Sequence, residues 1–256
     1  MMPLEEKVLI VVPCFNEASR LNTVSFKAWV EMNPSMDLLF VNDGSTDYTQ
    51  PVLEQMAADL PERIFCLQLP KNLGKAEAVR QGFQFIFQKI SQPYLYLAYV
   101  DADLATPLSE IKYLLDYAAF RGNNKQFIFG SRLKVLGSHI DRNPLRHYFG
   151  RISATGASIS LGLPVYDTQC GIKIFHRNIC QTIFSDPFMS RWLFDVEIFF
   201  RFKALFTKAE FDEAVLEVPL RSWNEIPGTK IKFSDILKVP FELWRINKKY
   251  AQTSRF

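Results

Sequence analysis

The sequence predicts an α/β fold in which a mainly parallel sheet carries helices on both faces. Two observations point there. Short apolar runs rich in β-branched and aromatic residues alternate with amphipathic stretches through the first half of the chain, and polar residues gather just after each run. Alternation of that kind builds βαβ units, whose strands are covered on both sides and so read as continuous apolar runs.

Strands are predicted at 8–13, 38–42, 64–69, 94–100 and 127–130, with helices at 21–31, 48–59, 75–89 and 108–117. After Ser131 the rhythm changes. Residues 139–162 are first basic and then rich in small side chains, 171–176 and 214–220 read as further strands, and 195–206 as a helix. In 238–250, Val239, Phe241, Leu243, Trp244 and Ile246 stand among basic residues, and Pro240 suits a helix start. No repeat, low-complexity tract or linker interrupts the chain. One domain over 1–256 is expected, with a nucleotide-binding half to residue 130 and an acceptor-side half from 131.

Composition narrows the class. A chain of 256 residues buries roughly three quarters of its unfolded surface, so it needs no disulfide staple. Cys14, Cys66, Cys170 and Cys180 form no CxxC pair, which argues for neither a zinc site nor a disulfide framework and fits a reducing cytosol. The net charge of +3 is too mild to point to nucleic acid. The first apolar run, Val8 to Val12, is too short to span a bilayer, as are the later ones. Any work at a membrane is expected to be peripheral, on its cytosolic face.

Ligands of open parallel sheets sit beyond the carboxyl ends of the strands. Here those ends carry Pro13-Cys14-Phe15-Asn16-Glu17, Asn42-Asp43-Gly44-Ser45-Thr46-Asp47, Asn72-Leu73-Gly74-Lys75 and Asp101-Ala102-Asp103. Two readings stand at Asp101 and Asp103: turn and capping residues, or a carboxylate pair for a hard cation whose shell substrate phosphates complete. The position at the mouth of a buried strand favours the second. Thr106 is a possible cap for the helix that follows. Asp43 suits a tight turn, with Ser45 or Thr46 capping the next helix, and also an acceptor for a base or ribose; the two roles are compatible. Asn72 to Lys75 suits either a polar turn or a helix start with a lysine for a diphosphate. Neither a dinucleotide-binding GxGxxG nor a P-loop occurs.

In their order and spacing these motifs resemble family 2 glycosyltransferases, which have the Rossmann-like GT-A nucleotide-diphospho-sugar transferase fold. Asp167-Thr168-Gln169-Cys170-Gly171-Ile172-Lys173, Arg191-Trp192-Leu193-Phe194-Asp195-Val196-Glu197 and Trp223 to Lys230 resemble the branch that glucosylates or mannosylates dolichyl phosphate. The likeness runs from Val8 to Lys232. It implies a nucleoside pocket at Pro13, Glu17 and Asp43, and Mg²⁺ or Mn²⁺ on the donor diphosphate at Asp101 and Asp103. Phe15, Asn72, Gly74, Lys75 and Ala102 complete the expected donor side. Arg132 and Lys230 would face the reaction centre, Asp195 and Glu197 would lie near the acceptor, and Arg142, Arg146, Gln169, Trp192 and Trp223 would bind it. Mannosyl members usually have glutamine where Ala105 stands, so the glucosyl type is implied. Eukaryotic glucosyl members carry an N-terminal membrane helix, a departure that bears on membrane attachment and on the lipid acceptor.

The expected reaction is inverting transfer of a hexose from a nucleotide sugar to a polyprenyl phosphate, with UDP-glucose favoured over GDP-mannose. A phosphate monoester, with a second pKa of about 6, arrives largely ionised. A sugar hydroxyl would need a base, for which Asp195 or Glu197 is the candidate. The basic segment Arg132, Lys134, His139, Arg142, Arg146, His147 and Arg151 is either a guide for a lipid phosphate or a solvated face. Two alternatives remain: a soluble enzyme of this fold acting on a saccharide or protein hydroxyl, and a catalytically silent nucleotide-sugar module.

Overall fold

The computed structural model describes residues 7–122, 125–141, 144–226 and 233–251, with side chains throughout except at 144–150, 152–153 and 233–237. The first half follows the predicted alternation: β1 (Lys7–Cys14), α1 (Thr23–Met32), β2 (Met36–Asn42), α2 (Thr49–Asp59), β3 (Ile64–Gln68), α3 (Lys75–Lys89), β4 (Tyr94–Val100), α4 (Ser109–Phe120) and β5 (Phe127–Ser131). The second half adds β6 (His139–Asp141), α5 (Pro144–Leu161), β7 (Ile172–His176), α6 (Arg177–Ile183), α7 (Phe194–Leu205), α8 (Lys208–Ala214), β8 (Val215–Pro219), β9 (Ser222–Asn224) and α9 (Phe233–Tyr250). All four cysteines are free thiols.

Seven strands form one sheet in the order β3-β2-β1-β4-β7-β5-β8. Val8 to Val12 of β1 and Leu38 to Val41 of β2 have no exposed surface, as strands covered on both faces should. From β1 the chain steps outward to β2 and β3, then returns to place β4 on the other side of β1. That reversal opens a crevice beyond the carboxyl ends of β1 and β4, where open α/β sheets take their ligands.

Strand β7 runs antiparallel between β4 and β5, with Tyr99 opposite Lys173 and Val100 opposite Ile172. Its reversed direction brings its N-terminal end, and the loop at 167–171, to the carboxyl end of β4. Beneath it Phe127 stacks on Phe175 at 4.8 Å and meets Phe199 at 5.0 Å. These rings seat α7 against the sheet and aim the start of that helix at the crevice.

Several local expectations are corrected. Helix α9 begins at Phe233, and Pro240 lies inside it. No side chain caps α4, so Thr106 is a buried residue and not its cap. At the start of α2, Asp47 accepts from the Thr49 amide at 3.0 Å, a role expected of Ser45 or Thr46.

Candidate active site

The loops after β1 and β2 are stitched together. Asn16, in the left-handed region at φ 53°, accepts from the Thr46 amide at 2.9 Å, and its own amide donates to Ser45 Oγ at 2.9 Å. The Glu17 amide donates to Thr49 Oγ1 at 2.8 Å, and its carboxylate pairs with Arg20 at 2.7 Å. Gly44 has φ 63°, and a Cβ there would meet the Lys71 carbonyl carbon at 2.2 Å, so only glycine lets the two loops close. Asp43 braces this closure. One of its carboxylate oxygens accepts from the Leu73 amide at 2.7 Å and the other from the Gly74 amide at 2.8 Å. Burial raises its pKa and the two amides oppose that rise. Of the two readings of Asp43, the structure displays the bracing one: the residue is a buried clasp between loops. Pro13, Phe15 and Asn72 stay half-buried at the crevice.

Asp101 and Asp103 follow β4, with Ala102 buried between them and Asp103 exposed. Leu104 takes φ 56°, a conformation rare for leucine, as the chain turns out of the strand. Asp103 accepts from the Ala105 amide at 3.0 Å. Partial desolvation beside the crevice wall and the neighbouring Asp101 charge raise the pKa of Asp103, although its side chain stays exposed. Asp101 rests on Gly171, where a Cβ would lie 2.3 Å from Oδ2, and its Oδ1 receives Lys75 Nζ at 2.5 Å. Burial alone would lower the Lys75 pKa, but Asp101, Asp195 and Asp103 together raise it, so the ammonium is secure. No group of three or more His, Cys, Asp or Glu side chains suited to a metal gathers among the described residues. Two carboxylates and no nitrogen or sulfur donors fit a hard cation such as Mg²⁺ or Mn²⁺ that keeps waters and takes phosphate oxygens as its other ligands.

Behind Lys75, Asp195 is 4% exposed and held through Oδ1. It pairs with Lys173 Nζ at 2.7 Å and accepts from the Tyr99 hydroxyl. Glu197 leaves the site altogether. It has no exposed surface and accepts from the Met189 amide at 2.7 Å, Arg201 at 2.9 Å and the Tyr250 hydroxyl at 2.8 Å. Its expected place near the acceptor is corrected accordingly: it ties α7 to α9 and to the 186–189 loop.

On the β5 side, Arg132 is clamped by Asp167 through Nε at 2.7 Å and Nη2 at 2.8 Å, and its guanidinium lies 5.5 Å from the centre of the Trp223 ring. Glu217 in turn accepts from the Tyr166 and Asp167 amides at 2.9 and 2.8 Å. In the same loop, Gln169 Nε2 and Thr168 Oγ1 are buried with no hydrogen-bond partner among the described residues. Buried polar groups are rarely left so, which suits a ligand reaching this loop. Arg151 is structural, donating to the Tyr166 carbonyl at 2.8 Å. Lys230 and Arg142 lie outside the described residues, as does the side chain of Arg146.

Two basic residues join the site without having been expected there. Lys173 is fully buried opposite Tyr99; a lone lysine inside the apolar run Ile172–His176 was its signal in the sequence. Arg191, beside the exposed Trp192, packs its stem on Gly74, with Cδ 3.1 Å from where a Cβ would be, and its charge reaches Asp43. Ser190 Oγ accepts from the Trp192 and Leu193 amides at 3.2 and 2.9 Å and donates to Glu242 of α9, which fixes this loop.

The sequence profile of glycosyl transferase family 2 matches residues 9–184. The chain belongs to that family. A dolichyl-phosphate β-glucosyltransferase of Trichomonas vaginalis is 31% identical over 95% of this chain and 74% of its own. The human dolichyl-phosphate β-glucosyltransferase is 28% identical over 93% of this chain and 72% of its own. Among solved structures, glucosyl-3-phosphoglycerate synthase from Mycobacterium tuberculosis, in complex with Mn²⁺, UDP-glucose and phosphoglyceric acid, superposes with a TM-score of 0.64 at 14% identity. It covers 96% of this chain and 80% of its own, a likeness of fold. This family 2 glycosyltransferase therefore has the expected GT-A architecture, with its strand-end loops gathered at one crevice.

No described helix is long and apolar enough to cross a membrane. Helix α9 nevertheless presents an exposed aromatic pair, Phe241 and Trp244, stacked at 6.0 Å. Exposed Lys238, Arg245, Lys248 and Lys249 flank it, while Leu243 and Ile246 face the core.

Proposed function

We propose that this enzyme transfers glucose from UDP-glucose to a polyprenyl or dolichyl phosphate with inversion, using Mg²⁺ or Mn²⁺, at the cytosolic face of a membrane. The observation that carries the reading is the division of charges around the crevice. Lys75, Arg132 and the Asp101/Asp103 pair converge there, while the candidate base Glu197 is buried among internal partners and Asp195 is tied through Oδ1 to Lys173 and Tyr99. A hydroxyl acceptor needs a proton taken from it, whereas an ionised phosphate needs only cationic guidance. The activity named for the relatives points to the same acceptor.

Each residue then has a task. Pro13, Phe15 and the stitched loops beneath them form the nucleoside wall. Asp101 and Asp103 would hold the cation, which when bound neutralises charge growing on the leaving diphosphate. Lys75 supplies a preorganised positive charge to the same diphosphate, and Arg132, fixed by Asp167, does so for the acceptor phosphate. Gln169 and Trp223 border that acceptor region. The aromatic and basic face of α9 supports a peripheral membrane contact. Residues 1–256 are proposed to act as one catalytic unit, since β7 and β8 from the second half complete the sheet.

Product analysis with UDP-glucose or GDP-mannose, Mg²⁺ or Mn²⁺ and a short polyprenyl phosphate in detergent tests this. A glucolipid formed only with UDP-glucose and metal is expected. Hydrolysis of the donor without glycolipid, together with turnover of a hydroxyl acceptor, would refute the acceptor assignment.

A further inference from the structure

We propose that Lys75 is a resident stand-in for the divalent cation: it holds Asp101 until a metal–nucleotide complex arrives, then transfers its charge to the donor diphosphate. The inference rests on the metal assignment to Asp101 and Asp103 made above. Asp101 has two oxygens, and one already carries a cation. Oδ2 is pressed on Gly171, where a Cβ would sit at 2.3 Å, and Oδ1 is held by Lys75 at 2.5 Å. A cation that takes Asp101 must therefore compete with an ammonium already on it.

The surroundings of Lys75 make that competition reversible. Its Nζ lies 5.9 Å from the centres of the Tyr99 and Phe194 rings, an aromatic corner that steadies a cation weakly and without direction. Asp195, the carboxylate behind it, is bound to Lys173 at 2.7 Å and to the Tyr99 hydroxyl. Displaced from Asp101, Lys75 finds its strongest new partner in the anion entering the crevice. The side chain is also 31% exposed, and its four-carbon stem lets the ammonium swing without moving the helix. Lys75 opens α3, whose positive end favours the same anion. Cation and nucleotide thus become coupled ligands, each raising the affinity for the other.

The test titrates Mn²⁺ by electron paramagnetic resonance into the full chain, with and without UDP, for the wild type, Lys75→Met, Lys75→Arg and Asp103→Asn. Without UDP, Lys75→Met is expected to bind Mn²⁺ roughly fivefold more tightly than the wild type, the equivalent of about 1 kcal/mol for a partly exposed ion pair. It should also lose most of the tightening that UDP confers, while Lys75→Arg retains the wild-type pattern. Unchanged or weaker Mn²⁺ binding by Lys75→Met, or undiminished tightening by UDP, would overturn the proposal. If Asp103→Asn binds Mn²⁺ as the wild type does, the metal assignment itself falls and the proposal with it. Failure of the lipid-phosphate assay alone leaves this titration readable.

Discussion

Gly171→Ala isolates the support under Asp101. Gly171 does not occupy the left-handed region, so alanine meets no backbone penalty there. Its Cβ, however, would lie 2.3 Å from Asp101 Oδ2 and 3.0 Å from Cγ. Ordinary contact begins near 3.4 Å, so the carboxylate must move by about 1 Å, and a displacement of that size is enough to cost about a hundredfold in a reacting geometry. Loss of a contact that orients a metal ligand typically weakens metal binding about 10- to 100-fold. Mn²⁺ titration of Gly171→Ala should fall in that range, and excess Mn²⁺ should restore much of kcat. Thermal unfolding should stay within a few degrees of the wild type, because the added methyl meets only a side chain at the edge of the crevice. Mn²⁺ affinity within twofold of the wild type would refute the view that Gly171 positions Asp101.

The corrected role of Glu197 gives a contrast. Glu197→Gln breaks a buried ion pair with Arg201, which keeps its bonds to the Ile183, Asp186 and Pro187 carbonyls; a loss of about 2–4 kcal/mol and roughly 5–12 °C in Tm is expected. Its kcat below the transition should remain within twofold, and a hundredfold loss with unchanged Tm would restore Glu197 to the chemistry. Replacing Phe241 and Trp244 together by serine should abolish sedimentation with vesicles containing anionic lipid while leaving Tm and Mn²⁺ binding unchanged. Retained sedimentation would place the membrane contact elsewhere.

The parallel half of the fold was legible because its signals are local. Buried strands announce themselves as apolar runs, and the loops that follow them carry their chemistry in sequence order. Asp101 and Asp103 were placed at the mouth of β4 on those grounds. Lys173 reaches the site only because β7 inserts antiparallel between β4 and β5, a pairing between distant segments that no local pattern encodes. The short elements α6, α8, β6 and β9 were missed for a related reason: three to seven residues give too little periodicity to read. Glu197 was misplaced for a reason visible in the sequence itself. Residues two apart on a helix point about 200° from one another, so Asp195 and Glu197 cannot both face one crevice. Asp43 was ambiguous from the start, since a carboxylate beside a glycine turn serves equally well as a ligand or as a brace.

What the enzyme withholds bears on its acceptor as much as what it presents. A hydroxyl nucleophile obliges a glycosyltransferase to keep one carboxylate unpaired, near the acceptor and able to take a proton. Here Asp195 lies where such a base would be useful, yet its Oδ1 is shared by Lys173 at 2.7 Å and the Tyr99 hydroxyl, which fix the carboxylate to the sheet. Lys173 has no exposed surface and its other bond is to the Cys170 carbonyl at 2.8 Å, so Asp195 is its counter-charge. A buried ammonium without its counter-ion is costly, so Asp195 has a structural task whatever the acceptor is. An acceptor that is already an anion asks for no base beside that task. In the proposed reaction Asp195 keeps organising Lys173, Tyr99 and, through its field, Lys75, while Arg132 would receive the phosphate.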